Sequence, residues 1–383
     1  MKAEKKVIAG QESWVVSNGT VELSVTVLGG HMAPVTFYSD TGKPVRPYHV
    51  APWAEESGKI DDPVLIPLRG DFFCMPFGAG STYRKDMYPT HGETASAKWK
   101  NADIREEGDE TTFFAQMDTK IKEGTVTKKI TLKEGHNALY IQHTLEGYSG
   151  QASLGHHATL KMPAVHEGLH VSTSPTQFGF TGPRPEANLT DTGGVEYYAL
   201  PPARKFTKID KVPTLWKDVP YTDCSAFPTR MGFEDILGVA AKQGNKPSWT
   251  AAAVPSEGYL WFSLKDPKVL PLTLFWMSMG GRHMPPWNGR NVCLGLEEIC
   301  GFFAAGMADS AKKNFLNDLG VATTVKFSAN KPTEIRNIQG VVKIPKSFDR
   351  VKKGSFSSGE VTFTSESGKE VKTQVDWEFL GME

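Results

Sequence analysis

The sequence lacks the features that would point to nucleic acid, a membrane or a disulfide framework. Lys and Arg together number 43, as do Asp and Glu, so the formal net charge is zero. That balance gives no global electrostatic attraction to nucleic acid or to a membrane surface. The longest apolar runs are strand-length, far short of the roughly 20 residues that a spanning helix requires. The four cysteines form no Cys-x-x-Cys pair, which favours free, buried thiols in a reducing compartment.

The N-terminus shows a further absence. Residues 1–10 contain basic side chains but no apolar core after them, which indicates no signal peptide. Together with the free thiols, this predicts a cytoplasmic location. A chain whose leader had been removed would begin in the same way, so a periplasmic location stays open.

What dominates the chain is alternation of apolar and polar residues with period two, which predicts an all-β protein of roughly 20 or more strands. The 37 glycines and 25 prolines supply turns, and the lack of a repeat of fixed period argues against a propeller or solenoid. Residues 95–99 also favour a strand, and only residues 308–317 favour a short helix. The clearest strands are predicted at residues 14–17, 20–28, 111–117, 124–132, 138–145, 232–241, 258–264, 270–276, 292–296 and 322–328.

Two shifts in composition divide the chain. Residues 180–221 are rich in Pro, Gly and charge, which predicts a long ordered excursion over one end of the sheets. Composition changes again near Pro332. We therefore predict a main domain over residues 1–330 and a small β extension over residues 331–383 that packs on it.

The segment between residues 276 and 298 combines groups that a sugar site needs. A Gly-rich loop carries Trp287, Arg282 and Arg290, and the apolar run that follows ends in Glu297 and Glu298. An aromatic face can cover the apolar side of a sugar ring, arginines bind hydroxyls or anions, and a carboxylate can move a proton. The alternative is a solvated hairpin with ordinary polar ends.

Other chemically capable residues are scattered along the chain, namely Arg69, His91, the pair His156-His157, and Asp223. Two adjacent residues of a strand point to opposite faces, so only one of the two adjacent histidines can serve a given site. His91 and Glu93, with His156, His157 and Glu297, are also ligand types for zinc or iron. Only His91 and Glu93 are closely spaced, and we predict no metal and no cofactor.

The order of these motifs resembles that of the aldose 1-epimerase (galactose mutarotase-like) superfamily, over roughly residues 10–328. The resemblance implies a β supersandwich fold. Arg69-Gly70 is similar to a family segment whose arginine binds sugar hydroxyls. His91-Gly92 is similar to the family's Leu-His-Gly-Gly, although Thr90 and Glu93 depart from it; the family's histidine binds near the ring oxygen.

The resemblance to the family also implies which residues act as general acid and general base. His157, or His156 in its place, resembles the family's general acid, and Leu296-Glu297 resembles the motif that supplies the general base, with Glu298 departing from it. Asp223 is the weakest match, for an aspartate that binds distal hydroxyls. Trp287, Arg282 and Arg290 lie in a loop outside the family pattern and are expected to touch substrate.

The expected function is therefore interconversion of sugar anomers by Glu and His acid–base catalysis. The expected partner is a monosaccharide or a derivative, with phosphorylated and acidic sugars left open, and the expected state is a monomer or homodimer. Two alternatives remain: a non-catalytic carbohydrate-binding protein on the same scaffold, and a metal-assisted sugar isomerase or lyase.

Overall fold

The structure is a computed structural model that describes residues 3–183 and 196–382. Part of the excursion predicted over residues 180–221 thus lies outside the described residues. The first strands in chain order are β1 (Lys5–Ile8), β2 (Gln11–Ser17), β3 (Val21–Thr26), β4 (Met32–Phe37), β5 (Phe73–Cys74), β6 (Ser81–Tyr83), β7 (Asp86–Tyr88), β8 (Lys100–Glu107), β9 (Glu110–Thr119), β10 (Gly124–Lys133), β11 (Ala138–Glu146), β12 (Gly150–Ala152), β13 (Leu154–Lys161), β14 (Leu169–Thr173) and β15 (Thr176–Thr181).

The strands after the undescribed segment are β16 (Lys205–Phe206), β17 (Val212–Pro213), β18 (Tyr221–Thr222), β19 (Ala226–Phe227), β20 (Glu234–Ala241), β21 (Ser248–Val254), β22 (Tyr259–Lys265), β23 (Leu272–Met279), β24 (Val292–Cys300), β25 (Val325–Phe327), β26 (Thr333–Lys343), β27 (Val351–Ser357), β28 (Glu360–Ser365) and β29 (Glu370–Gln374). The α-helices are α1 (Gly92–Ser96), α2 (Met307–Ala311) and α3 (Phe315–Asp318), and short 3-10 turns span Pro63–Leu65 and Trp377–Leu380. No helix of the described ranges is long and apolar enough to cross a membrane.

Two large antiparallel sheets form the body of the protein. One has nine strands in the order β19-β14-β21-β22-β26-β11-β10-β9-β8, and the other has seven in the order β16-β15-β20-β23-β24-β13-β5. The sheets face each other, because Ile141 and Trp261 of the first pack in one hydrophobic core with Phe275 and Leu296 of the second. The all-β prediction is confirmed.

Local turn chemistry accounts for the hairpins that the sequence predicted. Gly19 adopts φ 88°, and the Asn18 side chain accepts hydrogen bonds from the backbone of Thr20 and Val21, which joins β2 to β3. Gly135, at φ 75°, serves the turn between β10 and β11. Both strand pairs have the antiparallel register expected of hairpins.

Two local predictions were wrong. The strand expected at residues 95–99 does not form: residues 95 and 96 belong to α1, whose last turn is closed by the Ala97 backbone N–H and Glu93 O, and only Lys98 makes an isolated β-bridge, to Leu28. The helix expected at residues 308–317 is broken into α2 and α3, because the Asn314 side chain caps the backbone N–H groups of Leu316 and Asn317 and so begins a new helix.

The end of β24 also differs from the expectation. The strand continues to Cys300 because β13 and β23 pair with it on both sides, so Glu297 and Glu298 lie inside a central strand rather than at its end.

The C-terminal extension begins later than the boundary predicted at residue 331. β26 lies in the middle of the nine-stranded sheet, between β22 and β11, and belongs to the main body. Only β27, β28 and β29 form a separate sheet, which packs on the main body where Phe363 meets Trp249 and Phe262.

Candidate functional site

The site is built on the pairing of β13 with β24. His157 lies opposite Glu297 in this ladder, and His156 lies opposite Glu298. Because side chains alternate along a strand, His157 and Glu297 share one face of the sheet and the other two residues share the opposite face. His157 Nε2 lies 3.1 Å from Glu297 Oε1. The contact lacks the alignment of a hydrogen bond, and Oε1 has no hydrogen-bond partner among the described residues.

A cavity of about 260 Å³ opens beside this pair. Its walls combine the predicted residues His91, His157, Glu297, Arg282 and Trp287 with apolar and polar groups from six separate parts of the chain. These further lining residues are Asp62, Val64, Leu65, Leu68, Phe72, Thr90, Glu196, Ile236, Trp276, Met284 and Ala304. The cavity therefore holds a carboxyl–imidazole pair, an aromatic wall and one guanidinium.

Aromatic neighbours fix the orientation of the His157 ring. Phe72 stacks on it with ring centres 4.4 Å apart, and His31 stacks on the other side of Phe72 at 4.0 Å. Trp276 presents an edge at 5.4 Å, and Thr159 Oγ1 lies 3.2 Å from His157 Nδ1. Only Nε2 is therefore directed at Glu297 and the cavity.

His91 reaches the cavity through an unusual backbone turn. It adopts φ 58° directly before α1, and its Nδ1 accepts a hydrogen bond from the Gly78 N–H at 3.3 Å. A Cβ on Gly92 would lie 2.1 Å from Met75 O, so glycine at position 92 is a steric requirement. Glu93 points elsewhere, because its carboxylate accepts the backbone N–H groups of Lys120 and Ile121.

Burial shifts the pKa values of the Glu297 carboxyl group and of the two imidazoles. Desolvation raises the pKa of Glu297 well above its ordinary range, and the nearby Arg282 opposes that shift. Desolvation lowers the pKa of His157 well below its ordinary range, with a further contribution from His91. Burial also lowers the pKa of His91 to about 3. Each shift favours the neutral form of its group, so the two imidazoles resist protonation and the Glu297 carboxyl group keeps its proton to a higher pH than an exposed glutamate does.

Arg282 is held inside the cavity wall by two carboxylates. Its Nε lies 3.0 Å from Glu196 Oε1 and 3.5 Å from Glu234 Oε1. The guanidinium also lies 4.8 Å from the Trp287 ring centre, while Trp276 Nε1 donates a hydrogen bond to Glu234. The charge of Arg282 is thus matched by the protein itself.

Glu196 and Glu234 were missed in the sequence. Glu234 is buried at the start of an apolar strand, where an acidic residue reads as a solvated strand end. Glu196 lies within the Pro- and Gly-rich segment of residues 180–221 and belongs to no motif. No signal in the sequence links either of them to Arg282.

Trp287 is only 6% exposed although its loop is rich in Pro and Gly. It packs edge-on against Trp53 and Trp276, with ring centres 4.8 Å and 6.0 Å apart. These contacts make Trp287 a rigid part of the cavity wall.

Four of the predicted site residues lie away from the cavity. Arg69 is fully buried and donates to the backbone carbonyls of Ile8, Ala9 and Pro67. Its guanidinium therefore stabilises the N-terminal turn and has no donor directed at the cavity.

The other three also have protein partners. Arg290 binds the carboxylate of Glu56 at the surface, and Asp223 accepts hydrogen bonds from the backbone and hydroxyl of Ser225. His156 faces the space between the sheets, where its Nδ1 lies 2.9 Å from Asp71 Oδ2. His156 and Glu93 are thus separated from His91, His157 and Glu297, so the five residues considered for a metal site do not converge.

Comparison with known proteins gives structural but no sequence relatives. No protein-family profile matches the chain, and no curated protein sequence matches it. A galactose mutarotase-like protein from Clostridium acetobutylicum superposes with a TM-score of 0.59 at 12% identity, over 89% of this chain and 98% of the other. A galactose mutarotase related enzyme from Lactobacillus acidophilus gives 0.53 at 12% identity, over 89% and 100%. A galactose mutarotase-like protein from Lactobacillus casei gives 0.53 at 12%, over 86% and 100%.

The chain has the galactose mutarotase-like fold. The fold expected from the order of the motifs is therefore confirmed. At these identities the galactose mutarotase-like fold carries no residue roles by itself. The roles proposed below depend on the geometry of the cavity.

Proposed function

We propose that the protein is an aldose 1-epimerase-like isomerase that interconverts the anomers of a monosaccharide. The observation that supports this most directly is the His157–Glu297 pair, whose atoms lie 3.1 Å apart and whose Glu297 Oε1 has no hydrogen-bond partner among the described residues. A buried, unsatisfied carboxyl oxygen beside an imidazole is costly to stability and is typical of a site that handles a proton.

Ring opening requires one proton to leave and one to arrive. A base takes the proton from the anomeric hydroxyl, the bond between the anomeric carbon and the ring oxygen breaks, and an acid protonates the ring oxygen. Rotation of the freed aldehyde and reversal of the transfers give the other anomer. Both oxygens are attached to the same carbon, so an acid and a base on one wall of the cavity can reach both.

The resting pair is expected to start as a protonated carboxyl group and a neutral imidazole. Burial raises the pKa of Glu297 and lowers that of His157. In this state Glu297 protonates the ring oxygen while His157 Nε2 accepts the hydroxyl proton, and ring closure reverses both steps. The family resemblance implies the opposite starting roles, with glutamate as base and histidine as acid. His91 is suited to hydrogen bonding with a hydroxyl of the sugar.

The preferred substrate is a neutral sugar. The cavity of about 260 Å³ lies just below the range for small-molecule sites, roughly 300–1,000 Å³, and suits one sugar ring rather than a larger ligand. Arg282 is already paired with Glu196 and Glu234, and Asp62 and Glu196 line the same space. A phosphate or a uronate would meet carboxylates here without an unpaired cation among the described lining residues.

The test is an anomer-interconversion assay with anomerically pure sugars, followed by polarimetry or by proton NMR. The protein should accelerate equilibration of at least one neutral aldose, and the matching 6-phosphate and uronate should show little acceleration. Faster equilibration of the 6-phosphate or the uronate, with no effect on any neutral aldose, would contradict the assignment of a neutral substrate.

Binding without turnover is the second candidate. It is favoured by the low pKa values of His91 and His157, because neutral imidazoles suit hydrogen bonding to hydroxyls. This candidate would be established, and the isomerase rejected, if saturation-transfer NMR detected sugar binding while none of the anomerically pure sugars equilibrated faster with the protein than without it.

A further inference from the structure

A second cavity, of about 350 Å³, lies away from the acid–base pair. It is lined by the turn of the β6–β7 hairpin, the turn between β9 and β10, and the paired strands β12 and β25. The lining residues are Tyr83, Arg84, Lys122, Ser149, Gly150, Gln151 and Lys326. We call it the basic cavity, because three of these residues are cations and none is a carboxylate.

The three cations have no paired counter-charge in the wall of the basic cavity. Within residues 3–183 and 196–382, none of Arg84, Lys122 and Lys326 forms an ion pair, whereas Arg282 in the first cavity forms two. Like charges around one cavity disfavour each other. Burial lowers the pKa of Lys122, Arg84 acts in the same direction, and Asp86, which does not line the cavity, opposes it. A bound anion would relieve this repulsion.

The backbone places Arg84 at the cavity at a cost. Arg84 and Lys85 form the two-residue turn between β6 and β7, and Arg84 adopts φ 58°. A hairpin turn with positive φ at its first residue favours glycine, and a side chain there is strained. At this position the guanidinium of Arg84 lies 5.4 Å from the ring centre of Tyr83, which also lines the cavity.

Lys122 is positioned by contacts that leave its ammonium group unpaired. The Glu93 carboxylate binds the backbone N–H groups of Lys120 and Ile121, and the Thr119 hydroxyl donates to the carbonyl of Lys122. Glu93 is the residue at which the sequence departs from the His-Gly-Gly pattern. In this protein that residue orders the turn that carries Lys122.

We propose that the basic cavity is a binding site for a tetrahedral oxyanion, a phosphate or sulfate group that is free or carried on a sugar. An arginine fork and two ammonium groups, together with the Ser149 hydroxyl and the Gln151 amide, supply the number and spread of donors that such an anion accepts. The site does not depend on the acid–base pair and is independent of the proposed isomerase activity.

The experiment is isothermal titration of the full chain with inorganic phosphate and with sulfate, in a chloride buffer of low ionic strength. Wild type should bind one anion saturably, with affinity that falls as sodium chloride is added. Arg84→Gln, Lys122→Gln and Lys326→Gln should each weaken binding about tenfold or more, and the triple variant should abolish it. Lys6→Gln, which removes an exposed cation on β1, is the matched control and should bind as wild type does.

Glucose 6-phosphate and glucose then distinguish the two sources of the anion. Tighter binding of glucose 6-phosphate than of phosphate, lost in the triple variant, assigns a sugar-borne group, and equal binding of the two assigns a free anion. The triple variant should retain wild-type thermal stability and anomer interconversion, because the three side chains lie outside the first cavity. Absence of saturable binding, or equal binding by wild type and the triple variant, would overturn the proposal.

Discussion

Each face of the β13–β24 ladder carries one histidine and one glutamate, but the two glutamates differ in their hydrogen-bond and ion-pair partners. On the inter-sheet face, Glu298 accepts hydrogen bonds from Thr250 and Thr273, both at 2.7 Å, and forms an ion pair with the buried Lys265. On the cavity face, Glu297 has an imidazole nearby and a carboxyl oxygen without a hydrogen bond in the described structure. The Glu298 carboxylate thus has its hydrogen bonds and its counter-charge supplied within the sandwich, whereas Glu297 keeps one oxygen that no described residue hydrogen-bonds.

The largest expected difference between the faces is in turnover. Glu297→Gln keeps the shape of the side chain but removes its exchangeable acid, and a positioned acid or base contributes about 10²–10⁴-fold in rate. Anomer interconversion should fall by that factor while sugar affinity changes little, as measured by polarimetry and by titration.

The matched control is the same substitution at the next residue. Glu298→Gln should leave turnover per folded molecule close to that of wild type, because Glu298 faces away from the cavity. Equal losses in the two variants would remove the distinction between the faces.

The inter-sheet face should respond in stability. Lys265→Met leaves the buried Glu298 carboxylate without its counter-charge, which typically costs about 3–5 kcal/mol. Lys265→Met combined with Glu298→Leu should recover most of this loss, because both charges are then absent. Urea unfolding of the single and double variants measures both effects. A double variant no more stable than Lys265→Met would show that the loss does not come from an unpaired Glu298 carboxylate.

A third, smaller contrast is in how the free energy of unfolding depends on pH. It begins with Glu297. Because burial raises the pKa of Glu297, its contribution to stability is complete below the unfolded pKa of about 4.3 and is lost as the pH rises through the folded pKa. Relative to wild type, Glu297→Gln should therefore become more stable with rising pH, by about 1.4 kcal/mol per pH unit within that window.

His157 should show the opposite sign. Because burial lowers its pKa, the folded state loses stability as the pH falls below the unfolded value of about 6.5. Relative to wild type, His157→Asn should become more stable as the pH falls from about 6.5. Urea unfolding between pH 5 and 7 measures both slopes, and slopes of the same sign would be inconsistent with a neutral pair.

The smallest expected effect contrasts two residues of one loop. Trp287 lines the cavity, whereas Arg290 binds Glu56 at the surface. Trp287→Ala should weaken sugar binding about 2- to 12-fold, equivalent to the 0.5–1.5 kcal/mol of an aromatic contact. Arg290→Gln should leave the dissociation constant unchanged, and titration calorimetry that shows the reverse order would contradict the placement of the loop.

The sequence predicts that neighbouring side chains of a strand point to opposite faces, but it does not predict which of them faces the cavity. The pleat dictates that His156 and His157 face opposite ways, and the structure confirms this. Which of the two faces the cavity depends on Phe72 and Asp71, which come from a segment about 85 residues earlier in the chain. Such a contact leaves no periodic signal.

Tertiary contacts account for the wrong local predictions as well. Arg69 has the sequence context expected of a hydroxyl-binding arginine, but the carbonyls of Ile8 and Ala9 reach it from about 60 residues away. Residues 95–99 alternate like a strand, but the close approach of Gly92 to Met75 O places a helical turn there. In both places the backbone of another segment decides the structure.

The position of β26 has a consequence for synthesis of the protein. In the nine-stranded sheet, β26 is the hydrogen-bonded link between β22 on one side and β11 on the other. Until residues 333–343 leave the ribosome, each of these strands presents an open edge, and open edges invite pairing with other chains. A nascent chain, or one truncated at residue 330, would therefore hold two groups of strands that are not joined in this sheet, and the emergence of residues 333–343 is the event that joins them.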